Sequence, residues 1–119
     1  PIGIVMLYQS MSLIATQFSH ANIKLPRKVD HALSYFLVSP DMHKVHHHYV
    51  LPYTDSNYGN IFSIWDRMLG TYMELDRDKL VYGVDVFPNE KENGNVWSLL
   101  KQPFQKYQKP TIIPSKEQD

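Results

Sequence analysis

Apolar positions crowd the start of this chain and thin out after it. Residues 1–23 contain no Lys, Arg, Asp or Glu, and the run PIGIVMLYQSMSLIAT is broken only by Gln9, Ser10, Ser12 and Thr16. A helix over residues 4–20 follows from this pattern. It reads either as a buried or amphipathic helix or as the last part of a transmembrane helix, which needs ~20 largely apolar residues. The run has neither the basic start nor the small-residue cleavage site of a signal peptide. A first residue of proline rather than methionine suits a fragment or a processed product.

Shorter patterns follow. KLPRK at 24–28 stops the helix at Pro26 and supplies the first positive cluster. Val29, Leu33, Phe36 and Leu37 recur at helical spacing and predict a short amphipathic helix over 29–38. In SPDMH, Ser39 is a cap, Pro40 suits the first helical position and Asp41 complements the positive end of the dipole. Residues 50–60, rich in Pro, Asp, Ser, Asn and Gly, form a loop. Asn60 is then a cap for a helix over 61–69 with Ile61, Ile64, Trp65 and Met68 on one face, ended by Gly70. Apolar alternation in 71–87 predicts extended chain. NGN at 93–95 precedes a last helix ending near Pro103. Residues 1–104 thus read as one structured unit and 105–119 as a loose polar tail.

Composition narrows the chemistry. With 12 Lys and Arg against 12 Asp and Glu in 119 residues, no net field recruits nucleic acid. Cysteine is absent, which removes disulfides, thiolate ligands and a cysteine nucleophile. Any metal must be held by nitrogen and oxygen.

Four of the six histidines lie in HKVHHH, residues 43–48. On a helix, with His43 at zero, His46 falls at about −60° and His47 at about +40°, so three imidazoles share a face. His48, at about 140°, points elsewhere as a bystander or outer group. The spacing therefore nominates His43, His46 and His47 as metal ligands. His20 ends the apolar run as either a hydrogen-bonded terminal residue or a fourth ligand from a neighbouring helix. His31 sits in an ordinary amphipathic pattern at the surface. Trp65 reads as core or membrane-interface packing.

Three segments in order, QFSHANIKLP, SPDMHKVHHH and YTDSNYGNIFSIWDRMLGTY, resemble the fatty acid hydroxylase/sterol desaturase superfamily over residues 8–87. That resemblance implies a mainly α fold: the C-terminal portion of an integral membrane, histidine-rich di-metal oxygenase, with a helix end at the membrane, short cytosolic helices and a little extended structure. It maps the final HxxHH box onto His43, His46 and His47, and a further family histidine onto His20. The two earlier histidine boxes are absent, so the chain looks like the C-terminal half of a longer enzyme and is expected to be inactive alone.

The complete enzyme would hydroxylate or desaturate a lipid, sterol or fatty acyl, with O2 at two iron ions. Zinc is a plausible substitute, since imidazole suits both. Electrons would come from a carrier such as cytochrome b5 or ferredoxin. The implied location is a bacterial inner membrane or the endoplasmic reticulum, with the metal site on the cytoplasmic side and a role in lipid biosynthesis. SHANIKLP and TDSNYGN look more like sterol desaturase-type members than the alkylglycerol type. Ligating histidines donate their second N–H to a carboxylate or carbonyl, and Asp55, Asn57 and Asp66 are the candidates for that outer layer. The alternative is a soluble histidine-based metal-binding module without oxygenase activity.

Overall fold

The computed structural model describes residues 1–87, 93–106 and 108–112. Helix α1, Ile2–His20, carries no charge and buries only Ser19. At about 1.5 Å per residue its 19 residues extend about 28 Å, close to the hydrocarbon thickness of a bilayer. By length and composition it is able to cross a membrane. It ends where Ala21 turns extended, and its last turns pack on α3.

Helix α2 runs Arg27–Leu33 and α3 runs Pro40–His46. Their junction is built on one buried carboxylate. Ser39 Oγ donates to Asp30 Oδ1 at 2.6 Å and accepts the Met42 N–H at 3.4 Å, which caps α3. The Asp41 N–H reaches the other oxygen of Asp30 at 3.3 Å. Arg77 pairs with Asp41 and donates to the Leu25 carbonyl, tying the 71–80 segment across both helices. Met42 and Val45, three apart on α3, face inward with Val38, Val50 and Tyr53 to form the core. The opposite face of α3 is thereby left for its histidines.

The predicted helix over 29–38 ends early at Leu33. Ser34 Oγ bonds back to the His31 carbonyl at 2.8 Å, and the chain then pairs with 61–63 through Val38 N–H to Ile61 O and Ser63 N–H to Phe36 O. That pairing also delays the next helix, α4, to Ile64–Leu69. Asn60 does not cap it. Gly70, with φ of 72°, does close it, because a left-handed residue costs glycine nothing there.

The extended stretch expected over 71–87 forms no strand among the described residues. It holds a 3₁₀ turn at Arg77–Lys79 and one isolated bridge, Tyr82 to His48. Alternation alone makes no ladder without a second strand to satisfy its N–H groups. Helix α5, Val96–Lys101, is capped by Asn95, whose side chain accepts the Trp97 N–H at 2.9 Å. Of the tail over 105–119, residues 107 and 113–119 lie outside the described ones. Within the rest, the Thr111 carbonyl accepts the Leu51 N–H at 3.0 Å.

Candidate metal centre

The last turn of α1 meets the outer face of α3, and three imidazoles converge there. His43 Nε2 lies 3.1 Å from His20 Nε2, His47 Nε2 lies 3.3 Å from His20 Nε2, and His43 and His47 are 3.2 Å apart. His43 and His47 are one turn apart, so both project to the same side; His20 comes from 23 residues upstream.

Hydrogen bonding cannot satisfy this triangle. Each Nε2 either carries a hydrogen or presents a lone pair, so among three atoms at least two are alike and face each other unfavourably. A cation at the centre satisfies all three at once. A point about 2.1 Å from each nitrogen, the usual metal–imidazole distance, subtends about 100° between each pair, which suits tetrahedral or octahedral coordination. The donor set of neutral imidazoles fits iron, zinc and neighbouring divalent metals.

Backbone carbonyls orient two of the rings. His20 Nδ1 lies 2.9 Å from the Thr16 carbonyl, which fixes the hydrogen on Nδ1 and leaves a lone pair on Nε2. His46 Nδ1 does the same with the Ser56 carbonyl at 2.8 Å. Its ring stands beside the triangle rather than in it, with centroids 5.8 Å from His43 and 5.4 Å from His47. The structure thus gathers His20, His43 and His47 on one point and leaves His46 outside that group. His48 is buried, and its Nδ1 accepts the Val81 N–H at 3.1 Å, away from the cluster. His31 is exposed and pairs with Glu74 at 3.3 Å.

The residues nominated for the outer layer sit around the site without touching an imidazole. Asn57 is fully buried; its amide donates to the Met42 and Met73 carbonyls at 2.8 Å each, and its oxygen accepts the Met73 N–H at 2.9 Å. It thereby anchors α3 one residue before His43. Asp66 receives the Tyr58 and Gly59 N–H groups at 2.8 and 2.9 Å and the Thr71 hydroxyl at 2.7 Å. Asp55 is exposed beside Tyr58, whose hydroxyl is pushed up by desolvation and then by Asp55. The groups that orient His20 and His46 are main-chain carbonyls, which any residue type supplies and which therefore leave no signal in the sequence.

Burial, and then His20, His47 and His46 in turn, push His43 down to about 4. Burial also lowers His47 and His48. These rings are ready to ligate at neutral pH without first losing a proton. The unfolded chain, with histidines near 6.5, takes up more protons than the folded chain between about pH 6.5 and 4. Stability of the metal-free protein is therefore complete above about 6.5 and falls as pH drops towards 4. Thermal melts across that range are expected to show a declining midpoint, with a shallower decline in His43→Gln.

Comparison with known sequences adds a family. The fatty acid hydroxylase family model matches residues 1–71, a span that includes His20, His43, His46, His47, Asp55, Asn57 and Asp66. The alkylglycerol monooxygenase of Danio rerio is 42% identical over 52 residues, 44% of this chain and 11% of that protein. The Homo sapiens alkylglycerol monooxygenase is 38% identical over 52 residues, 12% of its length. The ornithine lipid hydroxylase OlsE of Rhizobium tropici is 24% identical across all 119 residues, 34% of its length. The chain thus spans from about a tenth to a third of these relatives. The leaning towards sterol desaturase-type members has no counterpart among them. No solved structure matches.

Proposed function

Because this chain belongs to the fatty acid hydroxylase family, we propose that it forms the histidine-bearing part of a membrane-bound di-iron oxygenase that hydroxylates an aliphatic carbon of a lipid. The observation that carries the reading is the triangle of Nε2 atoms, 3.1 to 3.3 Å on a side, which a bound cation would satisfy at all three corners. His20, His43 and His47 would hold one iron, with zinc able to substitute. His46 would serve a second, its Nδ1–H tied to Ser56 and its Nε2 left free, with the remaining ligands from polypeptide beyond this chain. When bound, the irons supply activation of dioxygen, so that one oxygen atom enters the C–H bond and the other leaves as water with two electrons and two protons.

The chain's own part is to hold, orient and shield. Neutral imidazoles resist oxidation and keep the site free of negative charge. A groove of about 610 Å³ lies between α1 and the 58–71 segment, lined by Leu7, Tyr8, Met11, Phe62, Trp65 and Leu69. Tyr58 also lines it, with its ring 5.7 Å from that of His46, so an aliphatic chain held in the groove would end beside His46. Hydroxylation is favoured over desaturation because the relatives are an alkylglycerol monooxygenase and an ornithine lipid hydroxylase. Electrons would arrive from cytochrome b5 or a ferredoxin. Lys24, Arg27 and Lys28 follow directly on α1 and support a cytoplasmic metal site, in a bacterial inner membrane or the endoplasmic reticulum.

The test is lipid mass spectrometry on cells carrying the complete gene, grown under ¹⁸O2. A lipid that gains one ¹⁸O atom, and does not with His43→Ala, is the expected result. A protein that binds metal yet leaves every lipid unlabelled would instead be a metal-binding module.

A further inference from the structure

The surface of the 58–70 segment is apolar to an unusual degree. Phe62, Ile64, Trp65, Met68 and Leu69 are 45%, 41%, 56%, 70% and 77% exposed. The backbone pairing of 36–38 with 61–63 sets Phe36, at 73% exposed, and Leu37 beside them. Together these side chains make an exposed, largely apolar plate.

Its two charged residues are both withdrawn. Asp66 is buried against the Tyr58 and Gly59 N–H groups. Arg67 folds back beneath the plate, with its guanidinium 3.7 Å from the Tyr72 ring centre and its NH2 group 3.2 Å from the Ser34 carbonyl. A water-facing helix would send an arginine outward; here the fold spends a cation–π contact and a hydrogen bond to keep it in.

The position of the plate along α1 is fixed by one side chain. Asn60 accepts the Thr16 hydroxyl at 3.0 Å and donates to Ser12 Oγ at 2.6 Å. Thr16 and Ser12 lie about 6 and about 12 Å along the helix axis from His20, towards the N-terminus. An asparagine bridging two hydroxyls in this way is how polar groups are satisfied between segments in hydrocarbon. If α1 crosses the bilayer with His20 at its edge, the plate stands at hydrocarbon depth beside it.

We propose that the plate of Phe36, Phe62, Ile64, Trp65, Met68 and Leu69 is a second membrane-embedded surface, in contact with lipid acyl chains in the leaflet nearest the metal centre. Its occupant is bilayer hydrocarbon, continuous with the lipid around the uncharged α1 and with the mouth of the groove that Phe62, Trp65 and Leu69 also line. A helix that lies in a leaflet without crossing it is a monotopic anchor. This rests on α1 spanning a membrane but not on any oxygenase activity.

The chain has two tryptophans, so Trp97→Phe leaves Trp65 as sole reporter. The protein would be reconstituted in phosphatidylcholine vesicles with or without bromine at mid-chain, and Trp65 emission read against acrylamide in the water. Loss of most of the emission in brominated lipid, with little quenching by acrylamide, is the expected result. Quenching by acrylamide alone would put the plate in water. Protection from both quenchers would mean that protein, either further helices or a second copy, covers it. Either outcome overturns the proposal. Leu13→Trp, with Trp65 and Trp97 both made Phe, reports α1 in the same vesicles. Bromine quenching at position 13 without quenching at Trp65 removes the plate and leaves the span; quenching at neither removes both.

Discussion

His43→Ala is expected to abolish metal binding at the three-histidine point. Its Nε2 is one corner of the triangle, and it is the most deeply set of the three rings, between His20 and His47. Removing one corner leaves two imidazoles, which most divalent ions leave readily for water. Loss of groups that merely orient a ligand weakens affinity about 10–100-fold, so loss of the ligand itself should exceed about 100-fold. Titration with Zn²⁺ or Co²⁺, followed by calorimetry or by the visible bands of cobalt, measures this directly. Two other variants make the result specific. His31→Ala removes an exposed ring outside the cluster and should leave affinity unchanged. His46→Ala should leave the three-histidine point intact and weaken only a second ion. Equal loss on replacing His43 and His31 would remove the metal reading.

Asp66→Asn is expected to damage the fold more than the metal centre. The carboxylate receives two main-chain N–H groups and a hydroxyl in a buried position, and all three donors point at it. An amide nitrogen in place of one oxygen turns a donor towards a donor, either at Tyr58 or at Gly59. Gly59 has no slack to move, since even an added Cβ would stand 2.7 Å from the Phe62 carbonyl and 2.8 Å from Asp66 Oδ2. Leaving a buried partner of a charged group unsatisfied costs about 3 kcal/mol, which for a chain of this size lowers the melting midpoint by on the order of 10 °C. Affinity of the molecules that remain folded should change little, because no oxygen of Asp66 reaches an imidazole. A metal affinity that collapses while the melting midpoint holds would instead restore Asp66 to the site itself.

Much of the site was legible in the sequence, and the reasons differ by residue. His43 and His47 were readable because i, i+4 spacing on a capped helix fixes where side chains point. His20 required the resemblance, since no local rule reports that two helices cross. His46 shares the spacing of the others, but its ring direction is set by the Ser56 carbonyl, and main-chain geometry in a loop leaves no mark in composition. Ser39 and Pro40 announced α3 through local chemistry alone. Asn60 was misread as a cap because its true partners, Ser12 and Thr16, are more than forty residues away. The alternation in 71–87 misled for a related reason: strands depend on partners that sequence does not show.

The gathering of His20, His43 and His47 has a thermodynamic consequence. In a zinc finger the ion must order the chain, and most of its intrinsic affinity goes into folding. Here the hydrophobic packing of Met42 and Val45, the Asp30–Ser39 joint and the Thr16 carbonyl hold the rings in place before any ion arrives. Affinity for an ion bound there would then be that of a preorganised cage, little diminished by entropy of closure. Such a cage would discriminate by bond length rather than by flexibility, and would surrender its ion to a chelator while the polypeptide around it stayed folded.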